Sequence, residues 1–140
     1  MTRPLHLRPS AIVTVAAGGA VGTSARYATA LLLPPLGVLP VATIVVNLVG
    51  AFLLGVLLEG LARRGSDEGG RRTVRLLLGT GVLGGFTTYS TFSLDTVALL
   101  EAGRIGETLL YTGVTLVVGT AAAALGVVVA ARRSPAGARR

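Results

Sequence analysis

Gly81-Val82-Leu83-Gly84-Gly85-Phe86-Thr87-Thr88-Tyr89-Ser90-Thr91-Phe92-Ser93 lies inside a hydrophobic segment long enough to cross a bilayer. The stretch holds two adjacent glycines, then a run of hydroxyls and aromatic rings. Glycine is a poor helix former and opens the backbone. In lipid, a broken helix is tolerated only where protein buries it or where it lines a wet cavity. The carbonyls, hydroxyls and rings gathered here therefore need something to hold.

The chain around this stretch has the composition of a membrane protein. Of its 140 residues, 51% are hydrophobic and 14% charged, and the mean hydropathy is +0.74. That length fits one domain, 1–140, with little outside the membrane. Cysteine is absent, which excludes a disulfide framework and thiolate metal sites. The net charge of +7 raises nucleic acid as a partner. The arginines, however, lie between and beyond the apolar segments, where membrane proteins carry flanking charge. No nucleic-acid partner is expected. Met1 to Ser10 resembles the basic start of a signal peptide. The apolar run after it has the length of a full span, so it is read as a helix.

Hydropathy predicts four spans, at about 11–33, 38–58, 74–100 and 105–131. Each meets the roughly 20 residues that a bilayer requires. Pro34-Pro35 closes the first span, because proline cannot continue a helix. A polar linker is expected at 59–73 and a disordered tail at 134–140. The fold class is thus an all-α membrane protein with four transmembrane helices per subunit. Arg3, Arg8, Arg63, Arg64, Arg71, Arg72, Arg75, Arg132, Arg133, Arg139 and Arg140 fall on one side; Arg26 and Arg104 fall on the other. That asymmetry predicts a multi-pass protein of the cell inner (plasma) membrane with both termini in the cytoplasm.

Each span contributes candidate residues. In the first, Gly18 and Gly22 share a face and allow close helix packing. Arg26 is read either as snorkelling to the headgroups or as a positive charge at the mouth of an anion path. In the second, Thr43 and Asn47 share a face. Asn47 is the only amide side chain, and it either bonds between helices or turns its donors to a pore. In the third, Tyr89 and Phe92 share a face if the helix resumes after Thr88. They are read as a packed pair or as ring edges, which are positive, facing an anion. In the fourth, Tyr111 and Thr115 lie in line as hydroxyl donors, with Gly119 one step further.

Absences narrow the chemistry. The spans carry no carboxylate at their centres, and Glu59, Asp95, Glu101 and Glu107 fall near span ends. His6 is the only histidine and lies outside the spans. A proton relay, a metal cluster and a nucleophile beside a base are not expected, so the chain is not read as an enzyme. A membrane path lined by donors with no buried acid favours an anion.

Gly18-Gly19-x-x-Gly22-x-x-x-Arg26-Tyr27, Asn47-x-x-Gly50 and Gly84-Gly85-Phe86-Thr87-Thr88-Tyr89-Ser90-Thr91-Phe92-Ser93 together resemble the CrcB (Fluc) fluoride channels. The resemblance covers all four spans. It implies a third helix broken midway and an antiparallel (inverted) dimer with two pores. It implies a passive channel that exports fluoride from the cytoplasm and so reduces its toxicity. It places Asn47, Tyr89 and Phe92 in the fluoride pore, Tyr111 and Thr115 on a polar track, and Arg26 in the vestibule; Thr43, on the face of Asn47, is assigned to the pore with them. It also implies a structural sodium ion at the dimer centre, held by the backbone carbonyls of Gly84 and Thr87. Two positions depart from the family pattern: Tyr89 replaces a phenylalanine and Gly119 a hydroxyl.

The expected partners are fluoride, the lipid bilayer and a second subunit. The second subunit is either another copy, in an antiparallel homodimer, or an oppositely oriented homologue. The arginine asymmetry favours one-way insertion and hence the homologue. Rival readings are a small four-helix multidrug-type exporter, for which the first span lacks the coupling carboxylate, and a non-transporting membrane scaffold.

Overall fold

The computed structural model describes residues 8–133. The positions assigned to the disordered tail, and Arg3 and His6, lie outside the described residues. Helix α1 spans Pro9–Leu32 and α2 Val41–Ala62. Helix α3 covers 69–86 and α4 Tyr89–Glu101; together they form the third arm. Helix α5 covers 105–133. Arg75–Leu83 in α3 and Val114–Val118 in α5 are wound as π-helix. Val41–Ala62 and Ile105–Arg132 are each long and apolar enough to cross a membrane.

The boundaries differ from the hydropathy reading for local reasons. Helix α2 starts at Val41, three residues later than expected, because Pro40 excludes Leu39 from helical geometry. Leu36 and Leu39 form a short bridge instead. At its other end α2 runs on to Ala62, and an i,i+4 ion pair between Glu59 and Arg63 covers its last turn. The polar linker shrinks to 63–68, since residues 69–73 join α3. Arg71 and Arg72 reach back from α3 to the carbonyls of Ser66 and Asp67, and Arg75 to the Asp67 carboxylate. These bonds hold the linker against the helix.

The bundle is built from two tight helix pairs. Helix α1 lies on α3, where Gly22 faces the Val82 carbonyl so closely that a Cβ would overlap it. Helix α2 lies on α5 through Gly55 and Gly126, which meet the backbones of Ala123 and Phe52. Lipid offers no hydrophobic drive between helices, so such backbone approach supplies the van der Waals contact that does. The hydroxyls of Thr14, Ser24 and Thr29 on α1 bond to carbonyls four residues back, which satisfies them within their own helix. The buried set is small and partly polar: Val46, Leu83, Leu99, Tyr111 and Ala130, with Thr43, Thr88, Thr108 and Thr115. Four of the buried side chains thus carry threonine hydroxyls.

Candidate functional site

Helix α3 stops at Phe86 because the next two residues are extended. Thr87 has φ −75° and ψ 158°, and Thr88 has φ −148° and ψ 120°. Side chains replace the backbone hydrogen bonds there. Asn47 on α2 donates through Nδ2 to the Thr88 carbonyl at 3.0 Å, and its Oδ1 accepts the Thr88 N–H at 2.8 Å. The Thr88 hydroxyl oxygen accepts the Thr91 N–H at 3.1 Å and so caps α4. Such a cap contributes about 1 kcal/mol.

These replacements free particular carbonyls. In a continuous helix Gly84 would accept from the Thr88 N–H, and Thr87 from the Thr91 N–H. Asn47 takes the first donor and the Thr88 hydroxyl takes the second. Carbonyl oxygens are the ligands a hard cation prefers. Among the described residues no group of three or more His, Cys, Asp or Glu gathers to hold a metal. The freed carbonyls of Gly84 and Thr87 are oxygens of the kind a hard cation takes.

Below the Asn47–Thr88 clasp lies a cavity of about 260 Å³. Asn47, Thr87, Thr88, Tyr89, Phe92 and Thr115 line it. Tyr89 and Phe92 have ring centroids 6.2 Å apart and tilted by 44°; Phe92 and Tyr111 are 5.2 Å apart and tilted by 38°. The three rings make a row from the open mouth inward, since Tyr89 is 81% exposed and Tyr111 fully buried. The Thr115 hydroxyl is buried with no hydrogen-bond partner, and so is that of Thr112. Of the other hydroxyls, Thr87, Ser93 and Thr96 bond back to their own chain segment. Asn47 retains one N–H beyond the one given to Thr88.

A second cavity, of about 240 Å³, shares Thr88 with the first. Arg26, half-buried on α1, lines it with Thr23, Tyr27, Thr43, Thr88 and Thr91. Thr88 faces both cavities. The structure thus brings Asn47, Tyr89, Phe92 and Thr115 together, puts Arg26 and Thr43 in the neighbouring cavity, and leaves Tyr111 lining neither. Gly119 is buried, with Leu48 its nearest neighbour, and the Thr120 hydroxyl is spent on the Leu116 carbonyl at 2.7 Å. Neither extends the row of donors past Thr115.

Asp95, read as an acid near a span end, has partners on two other helices. Its Oδ2 accepts the Thr43 hydroxyl at 2.9 Å and the Tyr111 hydroxyl at 3.0 Å. The half-buried carboxylate thereby ties α2, α4 and α5 together through charge-assisted bonds. One signal was present in the sequence. Tyr89, Phe92 and Asp95 are spaced three and three, so Asp95 continues the face already assigned to the site.

The helices, their glycine-packed pairs and their donor-lined cavities define a small multi-span helical membrane protein. The chain belongs to the CrcB family: the family model described as "CrcB-like protein, Camphor Resistance (CrcB)" matches residues 13–127. A protein of Leifsonia xyli subsp. xyli named "Fluoride-specific ion channel FluC 2" is 49% identical over 134 residues, 93% of this chain and 92% of that one. "Fluoride-specific ion channel FluC" of Novosphingobium aromaticivorans is 43% identical over 122 residues, covering 84% of this chain and 93% of the relative. The protein of the same name from Caulobacter vibrioides is 41% identical over 126 residues, 85% and 94% of the two chains.

Proposed function

We propose that this chain is a fluoride-selective passive ion channel of the plasma membrane, exporting fluoride from the cytoplasm. The observation that carries the reading is the gathering of Asn47, Tyr89, Phe92 and Thr115 around one cavity, in a chain whose relatives are named fluoride-specific channels. Fluoride is small and strongly hydrated. A path for it must replace water with fixed donors in a dry setting. The spare N–H of Asn47, the ring edges of Tyr89 and Phe92 and the unpartnered Thr115 hydroxyl supply them. Thr43 and Tyr111 act by donating their hydroxyls to Asp95, which holds α2, α4 and α5 together around the site. Arg26 raises the local anion concentration at the vestibule. Fluoride enters acidified cells as neutral HF and dissociates inside. The inside-negative potential then drives the anion out, at about 2.3 kcal/mol per charge per 100 mV. No chemical step is involved, so the protein is not an enzyme.

The working unit in this reading is an antiparallel dimer with two pores. Tyr89 supports it, because a phenol 81% exposed at the middle of a span would otherwise place its hydroxyl in lipid. A structural sodium ion belongs at the dimer centre, held by the freed carbonyls of Gly84 and Thr87. It would supply a fixed positive charge and join the two copies, since one copy offers only half a coordination shell. The arginine asymmetry points to one-way insertion, with the termini cytoplasmic and an oppositely oriented homologue as partner.

The test is ion efflux from proteoliposomes. Fast, electrogenic loss of fluoride over chloride without a proton gradient is expected from the channel reconstituted together with its homologue. A proton-coupled exporter gives loss only with the gradient, and a scaffold gives none; either result overturns the proposal.

A further inference from the structure

We propose that the arginine-rich end of the bundle carries a binding pocket for the phosphate headgroup of an anionic phospholipid, between the last turns of α2 and the first turns of α3. A cavity of about 180 Å³ opens there, lined by Leu58, Leu61, Ala62, Asp67, Arg71 and Arg75 among others. The apolar span of α2 ends at Ala62, so the cavity lies where hydrocarbon gives way to headgroups. Its walls differ in kind. Leu58, Leu61 and Ala62 offer an apolar side that suits the glycerol and the first acyl carbons. Arg71 offers a guanidinium group, which can bind phosphate oxygens in pairs, beside an Arg75 whose fork is held by Asp67.

Both guanidinium groups are already held in place. Arg71 Nε donates to the Ser66 carbonyl at 2.8 Å, and Arg75 donates to the two Asp67 oxygens at 3.0 and 2.7 Å. Preorganised groups lose less entropy when a ligand arrives. Asp67 neutralises Arg75, while Arg71 has spent only its Nε, so its terminal nitrogens remain available for a phosphate. Arg72 adds a further positive charge beside it, bonded through the Asp67 carbonyl. Basic pockets between spanning helices are suited to anionic headgroups in this way. The half-apolar lining favours a lipid over free phosphate. The pocket is separate from the donor-lined cavities, so it stands whatever ion the protein conducts.

The test uses full-length protein in neutral detergent, with bound lipids counted by native mass spectrometry. Phosphatidylglycerol is expected to bind more tightly than phosphatidylcholine, and inorganic phosphate at equal concentration is expected not to displace it. Arg71→Gln should weaken phosphatidylglycerol binding about fivefold, the effect of one arginine at an anionic surface. Arg132→Gln, at the same end but outside the cavity, should not. Ala62→Trp keeps every arginine but fills the pocket, and it should also lose the lipid. Equal binding of the two lipids by the wild type, displacement by phosphate, undiminished binding in Ala62→Trp, or an equal loss in Arg132→Gln would each overturn the proposal.

Discussion

Asn47 does two things with one amide. It accepts the Thr88 N–H and donates to the Thr88 carbonyl, replacing helix bonds where the backbone has left helical geometry, and its remaining N–H is available to the cavity. Asn47→Asp keeps the acceptor but sets a second carboxylate oxygen against the Thr88 carbonyl. It also puts a negative charge in the anion path. Two like charges 4 Å apart repel by about 4 kcal/mol at an effective dielectric of 20, about a thousandfold in rate. Fluoride efflux from proteoliposomes carrying the variant should therefore fall below detection, and normal efflux would remove Asn47 from the path. The amide was readable in the sequence as a group in need of a partner, and the Thr88 backbone supplies that partner across helices. Asp95 was harder to read. Its partners Thr43 and Tyr111 lie 52 and 16 residues away in the chain, so no local spacing pairs them with it.

The pairing of α1 with α3 depends on which glycine faces which backbone. Gly22 meets the Val82 carbonyl, while a Cβ on Gly19 would meet nothing within 4 Å. Gly22→Ala must push the helices apart and is expected to destabilise the fold by about 1–3 kcal/mol, as an overpacked contact does, read as a lower thermal midpoint. Gly19→Ala is expected to be neutral or stabilising by up to about 1 kcal/mol through helix propensity. The i,i+4 spacing of Gly18 and Gly22 made this packing face readable. The element ends were less so, because hydropathy does not register the restriction Pro40 places on Leu39, or the arginines that fold the linker back onto α3. In that linker the Arg75 hydrogen bond, with the charges of Arg75, Arg72 and Arg71, holds the Asp67 carboxyl below its usual 3.8. A carboxyl whose folded value is depressed stabilises the fold above the unfolded value, and that contribution is lost as pH falls through the folded one. Limited proteolysis between Arg63 and Arg71 should therefore be slow at neutral pH and speed up as pH drops below about 4. Asp67→Asn should be cut readily at neutral pH and show no such rise. A wild type with pH-independent cutting would show that the Asp67 pair does not hold the linker.

At the scale of the whole molecule, the surface and the charge pattern impose different demands. Tyr89, Leu94, Val117 and Leu109 are each more than two-thirds exposed, an apolar surface that suits lipid or a partner subunit. An antiparallel pair made from a single sequence would need that sequence to insert both ways in similar amounts. Among the described residues, Arg8, Arg63, Arg64, Arg71, Arg72, Arg75, Arg132 and Arg133 stand at one end of the bundle. The orientation bias is set by arginines within short loops and close to span ends, and Arg8, Arg63, Arg64, Arg71, Arg72, Arg75 and Arg132 all qualify. Opposite them stand Arg26 and an Arg104 that is paired at 2.7 Å with Glu107. Expressed with no partner, the chain should report its C-terminus on the cytoplasmic side in a large majority of copies, read with a pair of reporters each active on one side only. Neutralising Arg71, Arg72 and Arg75 together should move the signal toward balance. Equal signal from both sides in the unaltered chain would refute one-way insertion and leave the antiparallel homodimer as the assembly.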